Sequence, residues 1–166
     1  MSHTTATDKI SKAIATLGPV GFLPKAPGTW GSAVAIIAAP FLLLPYSPLV
    51  RCIIIALVFV LGGLAADRAE RLLGQKDPGC IIIDEVAGQW LVFAFFPIMT
   101  SWQILFGFLA FRFFDILKPW PVKAAESWLP GGFGIMIDDI IAGLYGALCL
   151  FGARFLYLEY ISQMFR

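Results

Sequence analysis

Cys80-Ile81-Ile82-Ile83-Asp84-Glu85-Val86-Ala87-Gly88-Gln89-Trp90-Leu91-Val92-Phe93 sets two adjacent carboxylates near the head of a run that is otherwise apolar on every side. A soluble amphipathic helix would pair its apolar stripe with a charged face. Here Asp84 and Glu85 diverge by about 100° around a helix and have no polar face to share. Acids in such a setting need water, a cation or a metal. The stretch therefore reads as a membrane helix whose first turn offers acids at an interface.

The rest of the chain supports that reading. Of its 166 residues, 59% are hydrophobic and 14% charged, and the mean hydropathy is +0.83. Both values exceed what a soluble core of this size requires. The expected fold class is all-α, a polytopic membrane helix bundle with about four or five membrane helices and an N-terminal interfacial helix. Between Asp8 and Leu17, residues Ile10, Ala13, Ile14 and Leu17 follow helical spacing with Lys9 and Lys12 on another side, which gives the interfacial helix. Gly18 to Trp30 is rich in Gly and Pro and reads as a constrained loop. Candidate spans are Gly31–Leu44, which holds Pro40, then Leu49–Ala66, Cys80–Met99, Trp102–Leu117 and Ile140–Leu158. A full crossing takes roughly 17 to 25 helical residues, so the first of these is short.

Charge bias orients the bundle. With the N-terminus inside, Lys9, Lys12, Lys25, Arg68, Arg71, Lys76, Arg112, Lys118 and Lys123 fall on the cytoplasmic side, and Arg51, Arg154 and Arg166 fall opposite. Every acid except Glu159 then lies at or near the cytoplasmic interface. No repeat or linker divides the chain, so residues 1–166 read as a single domain. Met1 to Thr7 lacks the charged, apolar and cleavage regions of a secretory leader.

Several chemistries are excluded. A net charge of +1 without a basic run gives no footprint for nucleic acid. Cys52, Cys80 and Cys149 are odd in number and widely spaced, which argues against disulfides and zinc. His3 is the one histidine, so phosphohistidine or paired-histidine mechanisms are not expected. Cys149 and Arg154 have four residues between them, whereas cysteine phosphatases use five.

Three further constellations accompany Asp84 and Glu85. Gly131-Gly132-Phe133-Gly134-Ile135-Met136-Ile137-Asp138-Asp139 pairs acids behind glycines that permit close ligand approach, although a glycine turn with acidic capping gives the same pattern. In Phe111-Arg112-Phe113-Phe114-Asp115-Ile116-Leu117-Lys118-Pro119, Arg112 and Asp115 share a helix side and Pro119 ends the helix near Lys118. A surface ion pair with an interfacial lysine is the plainer account. Lys25-Ala26-Pro27-Gly28-Thr29-Trp30-Gly31-Ser32 holds Lys25 and Thr29 in a loop suited to an anion or simply to membrane entry. Together the four place acids for a hard cation and bases for phosphate at one lipid interface.

In order, these segments resemble phosphatidylglycerophosphatase A, with the likeness running from about Gly18 to Gly146. The resemblance implies a magnesium-dependent lipid phosphatase of the bacterial cytoplasmic (inner) membrane. Such an enzyme removes the terminal phosphate of phosphatidylglycerophosphate to give phosphatidylglycerol, for phospholipid and cardiolipin synthesis. On that footing Asp84, Glu85, Asp138 and Asp139 are expected to hold Mg2+ at the cytoplasmic face, with Asp115 as a further ligand or base. Lys25, Thr29, Arg112 and Lys118 are expected to bind substrate phosphate. A small membrane cation transporter or transport subunit is the rival from another class, its acids lining a path. A CDP-alcohol phosphotransferase is disfavoured because its ordered Asp-Gly and Ala-Arg run is missing.

Overall fold

The computed structural model describes residues 5–164, apart from the side chains of residues 161 and 162. His3 and Arg166 lie outside that range. Among the described residues there are seven α-helices and no strand: α1 (Ala6–Ala15), α2 (Pro27–Leu42), α3 (Pro48–Leu73), α4 (Ile83–Phe93), α5 (Ser101–Leu117), α6 (Val122–Ala125) and α7 (Gly132–Met164). A single 3-10 turn, Val20–Phe22, lies between α1 and α2.

Helix α1 begins on a capping box. The Asp8 carboxylate accepts from the Thr5 N–H at 2.8 Å, and the Thr5 hydroxyl accepts from the Asp8 N–H at 3.2 Å. Arg68, near the end of α3, donates to the same carboxylate at 2.6 Å and fastens α1 to that helix. Ile10 and Ile14 of α1 stay exposed.

Two helices are long and apolar enough to cross a membrane by length and composition, Pro48–Leu73 with mean hydropathy 2.6 and Gly132–Tyr160 with 1.7. The expectation of about four or five membrane helices is corrected by this count. The span expected over Cys80–Met99 is helical only for the 11 residues of α4. From Glu85 to Phe93 every α4 residue is buried, packed by α2, α3, α5 and α7. Its all-round apolar character is thus answered by protein, where the sequence alone pointed to lipid. Helix α2, with 16 residues, falls short of a full crossing, and α5, with 17, is at the lower limit for one.

Two devices hold this centre together. A Cβ on Gly143 of α7 would collide with the Gly88 carbonyl, and one on Gly88 of α4 would meet the Asp139 carbonyl and the Phe111 ring. Only glycine at both positions lets α4 and α7 approach this closely. At the far end Arg51 is 2% exposed. It donates to the carbonyls of Leu44 at 2.6 Å, Tyr46 at 2.8 Å, Phe93 at 3.3 Å and Phe96 at 2.5 Å. These carbonyls lie at and just beyond the C-terminal ends of α2 and α4, where unpaired oxygens and the helix dipole favour a cation.

Candidate active site

At the opposite end of α4 from Arg51, a cavity of about 980 Å³ opens between the helices. Its wall includes Asp84 and Glu85 from the first turn of α4, Arg112 and Asp115 from α5, Lys118 from the end of α5, and Asp138 and Asp139 from α7. Five carboxyl groups therefore face two cations in this group. Asp138 and Asp139 lie nearly two turns inside α7, so capping of that helix does not explain them.

Glu85 is the hub. Its Oε2 accepts from the Ser32 hydroxyl at 2.8 Å and from the Arg112 guanidinium. The same guanidinium nitrogen lies 2.9 Å from Asp115 Oδ2 and donates to Ser32 Oγ at 3.3 Å. A Cβ on Gly28 would fall on the Glu85 carboxylate, so the head of α2 also closes over it. Lys118 spans Glu126 at 2.6 Å and Asp138 at 2.7 Å. Burial acts to lower the Lys118 pKa, but these two hydrogen bonds and the negative charges behind them raise it overall, so the ammonium stays charged. Asp84 accepts from the Glu85 N–H at 3.0 Å.

Left-handed backbone occurs at five non-glycine residues among those described, Leu17 being one. Lys25, Ala26, Asp77 and Lys118 all take left-handed φ between 44° and 62°, a region that disfavours side chains other than glycine. Asp77 and Lys118 both line the cavity. Burial pushes the Asp77 carboxyl above its ordinary range, with Glu126 and Glu70 adding to the shift against Lys118 and Lys76.

Glu85, Asp115 and Asp139 can each offer one oxygen such that all three lie within 4.8 Å of one another. Asp139 is 2% exposed, and its Oδ2 and Asp138 Oδ1 are buried with no hydrogen-bond partner among the described residues. Carboxylates this close repel strongly away from water, and the nearby Arg112 offsets one charge of the three. An all-oxygen donor set with surplus negative charge and unpartnered oxygens fits a hard metal ion.

Of the residues expected from sequence, Asp84, Glu85, Asp115, Asp138, Asp139, Arg112 and Lys118 meet in this cavity. Asp115 joins Glu85 and Asp139 in the tight group, while Asp84 and Asp138 stand at its sides. Lys25 and Thr29 do not line the cavity; Lys25 is exposed and pairs with no carboxylate among the described residues. Sequence reasoning gave no role to Ser32, whose hydroxyl joins Glu85 to Arg112, nor to Gln89, whose fully buried amide has no partner among the described residues. A lone hydroxyl in a small-residue helix carries no signal until the helix phase is known. Gln89, one turn below Glu85, carried the fainter signal of an amide in an apolar run.

Comparison with known proteins decides the family, because the family model described as phosphatidylglycerophosphatase A matches residues 13–154. The chain belongs to the phosphatidylglycerophosphatase A family. A phosphatidylglycerophosphatase A from Haemophilus influenzae is 38% identical over 154 residues, covering 87% of this chain and 94% of its own length. Another, from Escherichia coli, is 36% identical over 134 residues, covering 79% and 76%. A Bacteroides thetaiotaomicron protein provisionally named phosphatidylinositol-3-phosphatase is 36% identical over 140 residues, covering 81% and 87%. No solved structure matches. Membership in this lipid-phosphatase family and two membrane-length helices together give an enzyme associated with a membrane.

Proposed function

We propose that this chain, as one domain, hydrolyses phosphatidylglycerophosphate to phosphatidylglycerol and inorganic phosphate. The carrying observation is the group of Glu85, Asp115 and Asp139 at one wall of a cavity that also holds Arg112 and Lys118. Family membership supplies the substrate. In this reading the three carboxylates hold Mg2+, with Asp84 and Asp138 completing its surroundings directly or through water. When bound, the ion supplies Lewis-acid stabilisation of the phosphoryl oxygens and of the water that attacks them.

The chain's own groups do the rest. Arg112 and Lys118 neutralise phosphate oxygens, and to do so each turns part of its hydrogen bonding from a carboxylate to the substrate. Ser32 holds Glu85 in place meanwhile. Water adds to phosphorus, the bond from phosphorus to the glycerol oxygen breaks, and that oxygen leaves with a proton as the alcohol of phosphatidylglycerol. The reading places the cavity at the cytoplasmic face of a bacterial inner membrane. It takes α3 and α7 as full crossings and α2, α4 and α5 as shorter segments within the same bundle.

Purified protein in detergent, given phosphatidylglycerophosphate and Mg2+, should release inorganic phosphate and stop when the metal is chelated. No release across several lipid conditions would sink the proposal. The Bacteroides relative's name favours one second reading, a phosphoinositide headgroup. Phosphatidylinositol 3-phosphate in the same assay should then be hydrolysed faster than phosphatidylglycerophosphate.

A further inference from the structure

Apart from the acidic cavity, a second concavity of about 510 Å³ lies along α7 and is lined by apolar and aromatic side chains. Its residues on α7 follow from the site above. Asp138 is succeeded at three, seven and ten residues by Ile141, Tyr145 and Leu148, a spacing that continues one helix face. The upper edge is Pro121, three residues after Lys118. On α7 the last residue of the cavity, Asp139, lies two positions before the first of the groove, Ile141, and Lys118 and Pro121 bring the two linings close beyond α5. The Tyr145 hydroxyl donates to the Trp120 carbonyl at 3.2 Å and fixes that turn against α7. At the lower end Phe95 and Phe96 close the groove, and Arg51 holds the Phe96 carbonyl at 2.5 Å.

We infer that this groove receives one acyl chain of the lipid whose phosphate occupies the acidic cavity. The inference rests on the phosphatase reading and extends it to the other half of the substrate. Between Ile141 and Phe151 the helix rises roughly 15 Å, a length suited to an extended chain. Leu148 and Phe151 are 67% and 64% exposed, so no protein covers the groove there. Bulk lipid also touches this face. A lipid already held by its phosphate delivers its own chain to the adjoining groove at high effective concentration. The concave wall then gives that chain more contacts than a flat lipid-facing surface does. The Phe95 and Phe96 floor sets how far the chain reaches and makes the groove sensitive to chain length.

The test uses the full chain in mixed detergent micelles with dipalmitoyl and dihexanoyl phosphatidylglycerophosphate. The ratio of their kcat/KM values is measured on a single preparation, so any misfolded fraction cancels. Leu148→Trp fills the groove and should lower the dipalmitoyl-to-dihexanoyl ratio about fivefold, equivalent to about 1 kcal/mol. Leu156→Trp, on an exposed part of α7 outside the groove, should leave the ratio unchanged. An unchanged ratio for Leu148→Trp, or an equal drop for Leu156→Trp, overturns the groove. A second arm needs no turnover: substrate with a photoreactive acyl chain should label α7 between Ile141 and Phe151, and labelling elsewhere counts against the proposal. Wild-type protein that releases no phosphate yet is labelled there would refute the phosphatase reading and keep the groove.

Discussion

Asp139 shows how the site trades stability for chemistry. Its carboxylate is buried, shares a small volume with Glu85 and Asp115, and has one oxygen without a partner. Without a metal ion, three acids held this close oppose folding; on the proposed reading a bound ion takes them as ligands and offsets that cost. Asp139→Asn should therefore lower phosphate release about 100-fold or more, as loss of a metal ligand or charge stabiliser does. The same variant, free of metal, should melt at a higher temperature than wild type and gain less from added Mg2+. A thermal scan in detergent with and without the ion checks both. A drop in melting temperature without metal would mean that Asp139 serves packing. Much of this was legible in sequence, since Asp84, Glu85, Arg112, Lys118, Asp138 and Asp139 stood out as charges in apolar runs. The tight grouping of Asp115 with Glu85 and Asp139 was not legible, because it depends on how α5 is rotated against α4 and α7. Where Lys25 lies was not legible either: a basic residue beside prolines looks like an anion loop whichever way it faces, and here it stands outside the cavity lining.

Helix α4 is where hydropathy misleads. Past Asp84 and Glu85 it is apolar on every side save for Gln89 because four other helices surround it, and composition alone does not tell protein from lipid. Helices α3 and α7 were legible as long apolar helices from length and hydropathy together. The capping box of α1 gives a different kind of test. Hydrogen bonds from the Thr5 backbone and hydroxyl, with Arg68 beside them, hold the Asp8 carboxyl below its ordinary value of 3.8. A carboxyl depressed on folding contributes stability that is fully present above that ordinary value and is lost as pH falls through the lower folded one. Asp8→Asn should thus melt earlier than wild type near neutral pH. The gap should close in acid once Asp8 is protonated in both states. A gap that persists unchanged into strong acid would assign the loss to geometry.

Across the molecule, charge is gathered at two ends. The acidic cavity occupies one, and Arg51 occupies the other with backbone carbonyls in place of a carboxylate. Arg51→Met keeps much of the volume and leaves those carbonyls unpaired, so it should destabilise the fold by on the order of 3 kcal/mol. Unfolding in detergent measures this, and a loss below about 1 kcal/mol would show that water replaces the guanidinium. The cation-transporter alternative needs acids along a path. Among the described residues they collect at one end, Glu159 apart, which favours the enzyme.

The 16 residues of α2 expose Ile37 and Phe41 to their surroundings, yet the helix measures roughly 24 Å against about 30 Å of hydrocarbon in an ordinary bilayer. On the proposed placement of α2 as a short segment of the membrane bundle, lipid next to it compresses or bends to meet it. That placement predicts a local thinning of the bilayer beside α2, the helix whose Ser32 bonds Glu85. Turnover should then depend on the elasticity of the host: reconstitution into thin bilayers should raise it and into thick, stiff ones lower it, at equal substrate fraction.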